Sequence, residues 1–146
     1  LHPKFHELLA ICIKKNRKVV VQTAVAVKPK IWWTKSFMMS MGKNVEWIFA
    51  IDGLPKDSNK YRVNQDGEKL YDIMLRCASF GVKTQWQYIV FNYNEKDVDH
   101  CKGIAEKHGI KFLQITSGRW GTEVLKSLQP SKNYSDISGV SVRNYT

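Results

Sequence analysis

The sequence predicts an α/β fold built on a parallel sheet. Three observations carry this. Short β-branched or aromatic runs alternate with amphipathic helical stripes along most of the chain. The runs are continuously apolar, as buried parallel strands are. Gly, Pro, Asn and Asp stand between the segments and mark the turns. The 146 residues suffice for one domain, or part of one, with a real core. With 43% hydrophobic and 25% charged residues, the composition is globular rather than disordered.

The elements follow in order. Pro3 suits the first turn of a helix and Glu7 favours its positive end. Phe5, Leu8, Leu9, Cys12 and Ile13 then fall on one face of a helix expected to stop near Asn16. Val19 to Val21, with Gln22 and Thr23, read as the first strand. Lys28-Pro29 is a turn. Ile31, Trp32 and Trp33 open a second helix that ends at Gly42. Trp47 to Ile51 form the second strand, stopped by Asp52-Gly53, and a polar loop runs from Pro55 to Gly67. Leu70, Ile73, Met74 and Cys77 mark a third helix closed by Gly81. The third strand holds Trp86 and Tyr88 to Phe91 and gives way to Asn92, Asn94 and Glu95. Val98, Cys101 and Ala105 share a face of the fourth helix, closed by Gly109. Ile110 to Ile115 are the fourth strand, ending at Thr116-Ser117-Gly118. Gln129-Pro130 then breaks the pattern, and Ser131 to Thr146 are polar and weakly patterned.

Helices between buried strands imply right-handed crossovers and a parallel sheet, either doubly wound and open or an arc of a barrel. Both place the active face at the carboxyl ends of the strands. That points to Thr23, Asp52-Gly53, Asn92 to Glu95, and Thr116 to Arg119.

Several chemistries are disfavoured. Cys12, Cys77 and Cys101 are odd in number and widely spaced, which argues against a disulfide framework, zinc or an iron–sulfur cluster. They read as small core hydrophobes. The net charge of +10 is spread along the chain, and its densest run, Lys14, Lys15, Arg17 and Lys18, lies at a helix end that suits positive charge. A solvated face is therefore favoured over nucleic-acid binding, and an anionic substrate stays open. No dinucleotide glycine fingerprint, Walker loop or nucleophile elbow is found. His2, His6, His100 and His108 read as surface or half-buried residues of helices. Asp52 alone is a turn former, a general base or a ribose ligand. No apolar run would span a bilayer, and the opening residues are no signal peptide, which leaves the cytoplasm as the default.

Taken together, the strand ends are more specific. Trp47-Ile48-Phe49-Ala50-Ile51-Asp52-Gly53-Leu54, followed by Tyr61-Arg62 and Gly67, resembles the fourth strand and loop of radical SAM enzymes. Trp86 to Glu95 resembles the fifth strand of the branch that often carries a cysteine-rich SPASM-type extension. Leu1-His2-Pro3 resembles the segment after the glycine-rich second-strand turn, and Thr23 with Trp32-Trp33 resembles the third-strand end and its helix.

The resemblance covers residues 1–120 and implies a partial (β/α) barrel of parallel strands with outer helices. Residues 121–146 would be a tail or the start of a following segment. It further implies a full-length enzyme that cleaves S-adenosylmethionine (SAM) with a [4Fe–4S] cluster and starts radical chemistry on a small-molecule or peptide substrate. On that analogy Thr23, Asp52, Gly53, Arg62, Asn94 and Glu95 lie around SAM, with Arg62 suited to the methionine carboxylate. Arg119 is an unassigned cation near the sixth-strand end. Asn94 and Glu95 also read as the cap and first turn of the next helix.

Three departures accompany the resemblance. The cluster-binding Cys-x3-Cys-x2-Cys is absent, so the chain reads as a truncated piece that is inactive alone. Thr23-Ala24-Val25 stands where Thr-Asn-Gly is frequent. Ala50 stands where a Ser is common, which removes one ribose hydrogen bond. The rival readings are a non-catalytic α/β module whose basic surface recruits an anionic partner, and an enzyme that uses Asp52 as base.

Overall fold

The computed structural model describes residues 2–118 and 120–131. Helix α1 spans Phe5–Lys14, strand β1 Val19–Thr23, α2 Lys30–Ser40 and β2 Val45–Ala50. After a short 3-10 helix, Pro55–Lys60, come α3 Gly67–Ser79 and β3 Lys83–Val90. A second 3-10 turn, Glu95–Asp97, leads into α4 Val98–Lys107, β4 Lys111–Thr116 and the one-turn α5 Glu123–Lys126. The sheet is wholly parallel and runs in chain order, β1-β2-β3-β4. The expected alternation and parallel sheet are therefore present.

The boundaries differ in instructive ways. β3 begins at Lys83, ahead of its apolar run, because Thr84 and Gln85 pair with Trp47 and Ile48 of β2. β2 ends at Ala50, and Ile51 continues only as far as one hydrogen bond from its N–H to Gln87. The polar loop after Pro55 is partly helical, and Gly67, expected at its end, is the first residue of α3.

Register and the two-residue period sort the strand side chains onto two faces. Val21, Trp47, Phe49, Trp86, Tyr88 and Val90 point to the face where the helices pack. There they form one core with Leu9, Trp33, Phe37, Leu70, Met74, Cys77 and Cys101. Trp47 is its centre: fully buried, with ring centroids of Phe5, Trp33 and Phe37 within 5.3–5.9 Å. Its indole N–H donates to Ser40 Oγ, which donates to the Ser36 carbonyl.

The α1 stripe is narrower than its spacing implies. Phe5, Leu9 and Ile13 meet the core, Leu8 is 49% exposed and Cys12 is only half-buried. Cys77 and Cys101 are fully buried, as expected of core cysteines. The opposite face of the sheet carries Gln22, Glu46, Ile48, Ala50, Gln85, Gln87 and Ile89. Gln22 Nε2 reaches across β2 to Gln87 Oε1 at 2.9 Å, and Gln85 donates to Glu46. Among the described residues no helix is long and apolar enough to cross a membrane.

Truncating Trp47 to Ala removes the centre of this core and should lower the unfolding free energy by about 3–5 kcal/mol, read by urea denaturation. β1 and β4 are the outer strands among the described residues, so their unpaired edges should drive self-association that rises with concentration in sedimentation velocity. A monomer with a sharp, cooperative thermal transition at every concentration would contradict that second expectation.

Candidate functional site

The carboxyl ends of β1, β2 and β3 are tied together by side chains rather than by further strand pairing. After Ile51, the β2–β3 ladder breaks. The next rung of a parallel ladder would run from Ile89 N–H to the Ile51 carbonyl. Instead Ile89 N–H donates to Asp52 Oδ1 at 2.8 Å, and the Ile51 carbonyl accepts from Trp86 Nε1 at 2.9 Å. Both orphaned backbone groups are thus satisfied, as burial requires.

Asp52 is fully buried and every polar part of it is engaged. Oδ2 forms a 2.7 Å ion pair with Arg62 Nε, and neither of those two atoms has a well-directed hydrogen bond. Its N–H donates to Ser58 Oγ, and its carbonyl accepts from Tyr93 Oη. Burial raises its pKa, and the Arg62 charge and Ile89 N–H offset this only in part.

Gln65 secures the other side. Ser58 donates to its Oε1, while its Nε2 donates to the carbonyls of Ala24 at 2.8 Å and Ala50 at 2.9 Å, joining the ends of β1 and β2. The loop that carries Ser58, Arg62 and Gln65 closes where Gly67 meets Pro55. A Cβ at Gly67 would stand 2.1 Å from the Pro55 carbonyl oxygen, so only glycine fits.

Asn94 was expected to cap the following helix. It makes no cap hydrogen bond, and α4 starts later, after Asp97. Its side chain turns back instead: Oδ1 accepts from Phe91 N–H and Nδ2 donates to the Ile89 carbonyl, while Tyr88 Oη donates to the Asn94 carbonyl at 2.6 Å. The strand end must be closed because it is buried, and this need overrides the exposed cap. Gly53, at φ 115°, packs against the same Asn94, whose Cβ is 3.2 Å from where a Cβ on Gly53 would lie.

The fold therefore brings Asp52, Gly53, Arg62 and Asn94 together. Thr23 stands apart: its hydroxyl closes a turn with Val25, and it is its neighbour Ala24 whose carbonyl accepts from Gln65. Glu95 opens the 3-10 turn, where Oε2 accepts from Ser131 N–H. Asn92 binds Ser127 and Leu128, so the segment after residue 120 returns to the β3 end. Arg119 lies outside the described residues. Ser58 and Gln65 are central yet had no sequence signal, since polar loop residues carry no periodicity of their own; Tyr88 and Tyr93 fell within the third-strand block without a role of their own.

Arg62 keeps contact with solvent: its side chain is 21% exposed while it pairs with Asp52 and lies 5.9 Å from the Tyr61 ring. Tyr61, Phe91 and Tyr93 form an aromatic layer beside it, with centroids 4.4 and 5.5 Å apart.

No protein-family model and no curated protein matches the chain. Solved structures of Streptococcus suis SuiB do, one of them bound to S-adenosylmethionine. Each superimposes with a TM-score of 0.67 at 9% identity, covering 86% of this chain. The chain spans 28% of the length of SuiB. At that identity the likeness is one of fold.

Replacing Asp52 by Ala leaves the Ile89 N–H and the Arg62 cation without partners and should cost ~2–4 kcal/mol of unfolding free energy. Asp52→Asn keeps an acceptor for Ile89 and should cost much less. The raised pKa fixes a sign as well. The folded state binds the Asp52 proton more tightly than the unfolded chain, so this contribution is present at acid pH and lost as pH rises through the raised value. The stability of the wild type relative to Asp52→Asn should therefore fall from about pH 4 towards neutrality, in urea unfolding at each pH. Gly67→Ala should destabilise by about 3 kcal/mol, since backbone must move to admit the methyl group.

Proposed function

We propose that residues 1–120 are the central and later part of a radical SAM enzyme domain. In full-length form it would cleave SAM with a [4Fe–4S] cluster and start radical chemistry on a small-molecule or peptide substrate in the cytoplasm, while this chain alone is inactive. The supporting observation is the singly wound parallel sheet, with helices on one face, whose fold matches that of the SAM-bound SuiB structure. Consecutive strand order with helices on one side is how an arc of a (β/α) barrel is built.

The residues present fit the two groups unequally. A cluster needs thiolates, and this chain's cysteines do not fit that need: Cys77 and Cys101 are fully buried, on different helices, with pKa values pushed up to about 12 by burial. Among the described residues no three His, Cys, Asp or Glu side chains gather as metal ligands. The cluster would be held by a Cys-x3-Cys-x2-Cys segment outside this chain. SAM fits better. Arg62, anchored through Nε by Asp52, turns the rest of its fork towards solvent and would hold the carboxylate of the methionine moiety. Asp52 and Asn94 would act one step removed, shaping the strand ends, because their side chains are already engaged. Thr23 and Gly53 would contribute the edges of β1 and β2, and Glu95 the β3 side.

The reading in which Asp52 is a general base loses support from its geometry. A fully buried carboxylate with both oxygens engaged has no path to a substrate proton.

The reading is tested in the genomic reading frame upstream of Leu1. An in-frame Cys-x3-Cys-x2-Cys within ~100 residues, the span of two or three βα units, is the expected outcome. A nearby start codon without it would remove the catalytic reading. In the protein from the full frame, Arg62→Lys, which keeps a counter-charge for Asp52 and removes the planar fork, should weaken SAM binding about tenfold by calorimetry with the fold retained by circular dichroism, whereas Arg62→Ala should also lower stability.

A further inference from the structure

Helix α2 is apolar on the face it buries and again on the face it exposes. Trp33, Ser36, Phe37 and Ser40 are buried on the core side. Opposite them Ile31 and Met38, about two turns apart and nearly in line, are 74% and 62% exposed. Val27 ahead of the helix and Met41 at its end are exposed as well. An open hollow of about 500 Å³ follows the row, lined by Ile31, Thr34, Lys35, Met38 and Met39. A lone exposed apolar side chain is ordinary, whereas a continuous row marks a contact surface.

The charge around this row has one sign. Lys and Arg recur along the whole chain, but from Leu8 to Val45 there are eight of them and no Asp or Glu. Lys30 and Lys35 lie on either side of the row on α2, with Lys28 before the helix and Lys43 after it. On the α3 flank Asp72 stands among Lys28, Lys30, Lys69 and Arg76, which leaves that side positive too. The partner that fits is therefore anionic at its surface and apolar beneath it. Nucleic acid would take the lysines and strand Ile31 and Met38 against phosphate. A protein interface is centred on Arg, Tyr or Trp and depleted in Lys. Here Arg76 donates to Thr34 Oγ1 at 2.9 Å, Trp32 is half-buried against Phe5 and His6, and the exposed set is Ile, Met, Val and Lys. Lysines that border an apolar stripe suit a lipid surface, since their stems lie along acyl chains and their ammonium groups reach the headgroups.

We propose that the outer face of α2 rests on an anionic lipid surface. Ile31 and Met38, with Val27 and Met41, enter the boundary between headgroups and acyl chains, and Lys28, Lys30, Lys35 and Lys43 pair with the lipid phosphates and carboxylates. The helix, about 16 Å long, lies in the plane of the surface and does not cross it. The inference does not depend on the SAM reading, which concerns the strand ends.

The test is flotation of the full chain with vesicles, which separates bound protein from self-associated protein that sinks. Vesicles of phosphatidylcholine with about a third phosphatidylserine should bind the chain at least tenfold more tightly than phosphatidylcholine alone, and added salt should weaken the binding. Ile31→Ser/Met38→Ser should lose about tenfold in affinity, and Lys30→Gln/Lys35→Gln about as much, with the fold of each retained by circular dichroism because all four positions are exposed. Lys14→Gln/Lys15→Gln makes the same charge change on exposed residues of α1 and its end, and should keep most of the affinity. The wild-type comparison needs no variant to fold. Equal binding to both vesicle types, equal losses in the two lysine variants, or full binding by Ile31→Ser/Met38→Ser, which would mark adsorption by charge alone, would overturn the proposal. So would saturable binding of a helical peptide with a leucine face and glutamate flanks by a chain that does not float with vesicles, which would mark the face as a seat for an acidic partner protein.

Discussion

The architecture of the strand ends depends on one substitution of partners: a carboxylate takes the place of a strand carbonyl. When Asp52 accepts the Ile89 N–H, β2 and β3 can part without leaving a buried donor unpaired. Once they part, the Ile51 carbonyl needs a donor, and the Trp86 indole supplies it. The buried charge that results needs a counter-charge, which fixes Arg62 and, through it, the loop between Pro55 and Gly67. Ser58 and Gln65 complete the circuit by binding backbone atoms at the ends of β1 and β2. Each step follows from the cost of burying an unsatisfied group, about 1–3 kcal/mol each.

That circuit explains why several strand-end residues are structural rather than directly reactive. Asp52 and Asn94 are committed to backbone partners, and Arg62 alone of that group faces both inward and outward. The same pattern, in which a rigid inner layer positions one donor at the surface, is what a cofactor site built on strand ends needs.

The alternation of helices and strands was legible because the chain obeys its two periods closely. Leu70, Ile73, Met74 and Cys77 repeat as a helix does, and Trp86 to Val90 run as a buried strand. The exceptions have physical causes. Leu8 fits the helical stripe but is exposed, because α1 packs mainly on β1 and α2 at the sheet margin and its contact is narrow. Asn94 stands where a helix cap would, yet closing the buried β3 end was worth more than capping an exposed turn. Asp52, Gly53 and Arg62 could be grouped from their positions after a strand. Ser58 and Gln65 could not, because a loop of polar residues looks solvated whether or not its side chains turn inward.

The replaced rung has a consequence for time as well as for shape. An amide held by a strand carbonyl exchanges its hydrogen only when two strands separate. The Ile89 amide is held by a side chain, and that side chain is steadied by a loop residue. Its exchange therefore follows opening of the Arg62 loop and not unfolding of the sheet. One backbone position inside a rigid scaffold thus keeps a local clock, set by the same loop that presents Arg62 to solvent.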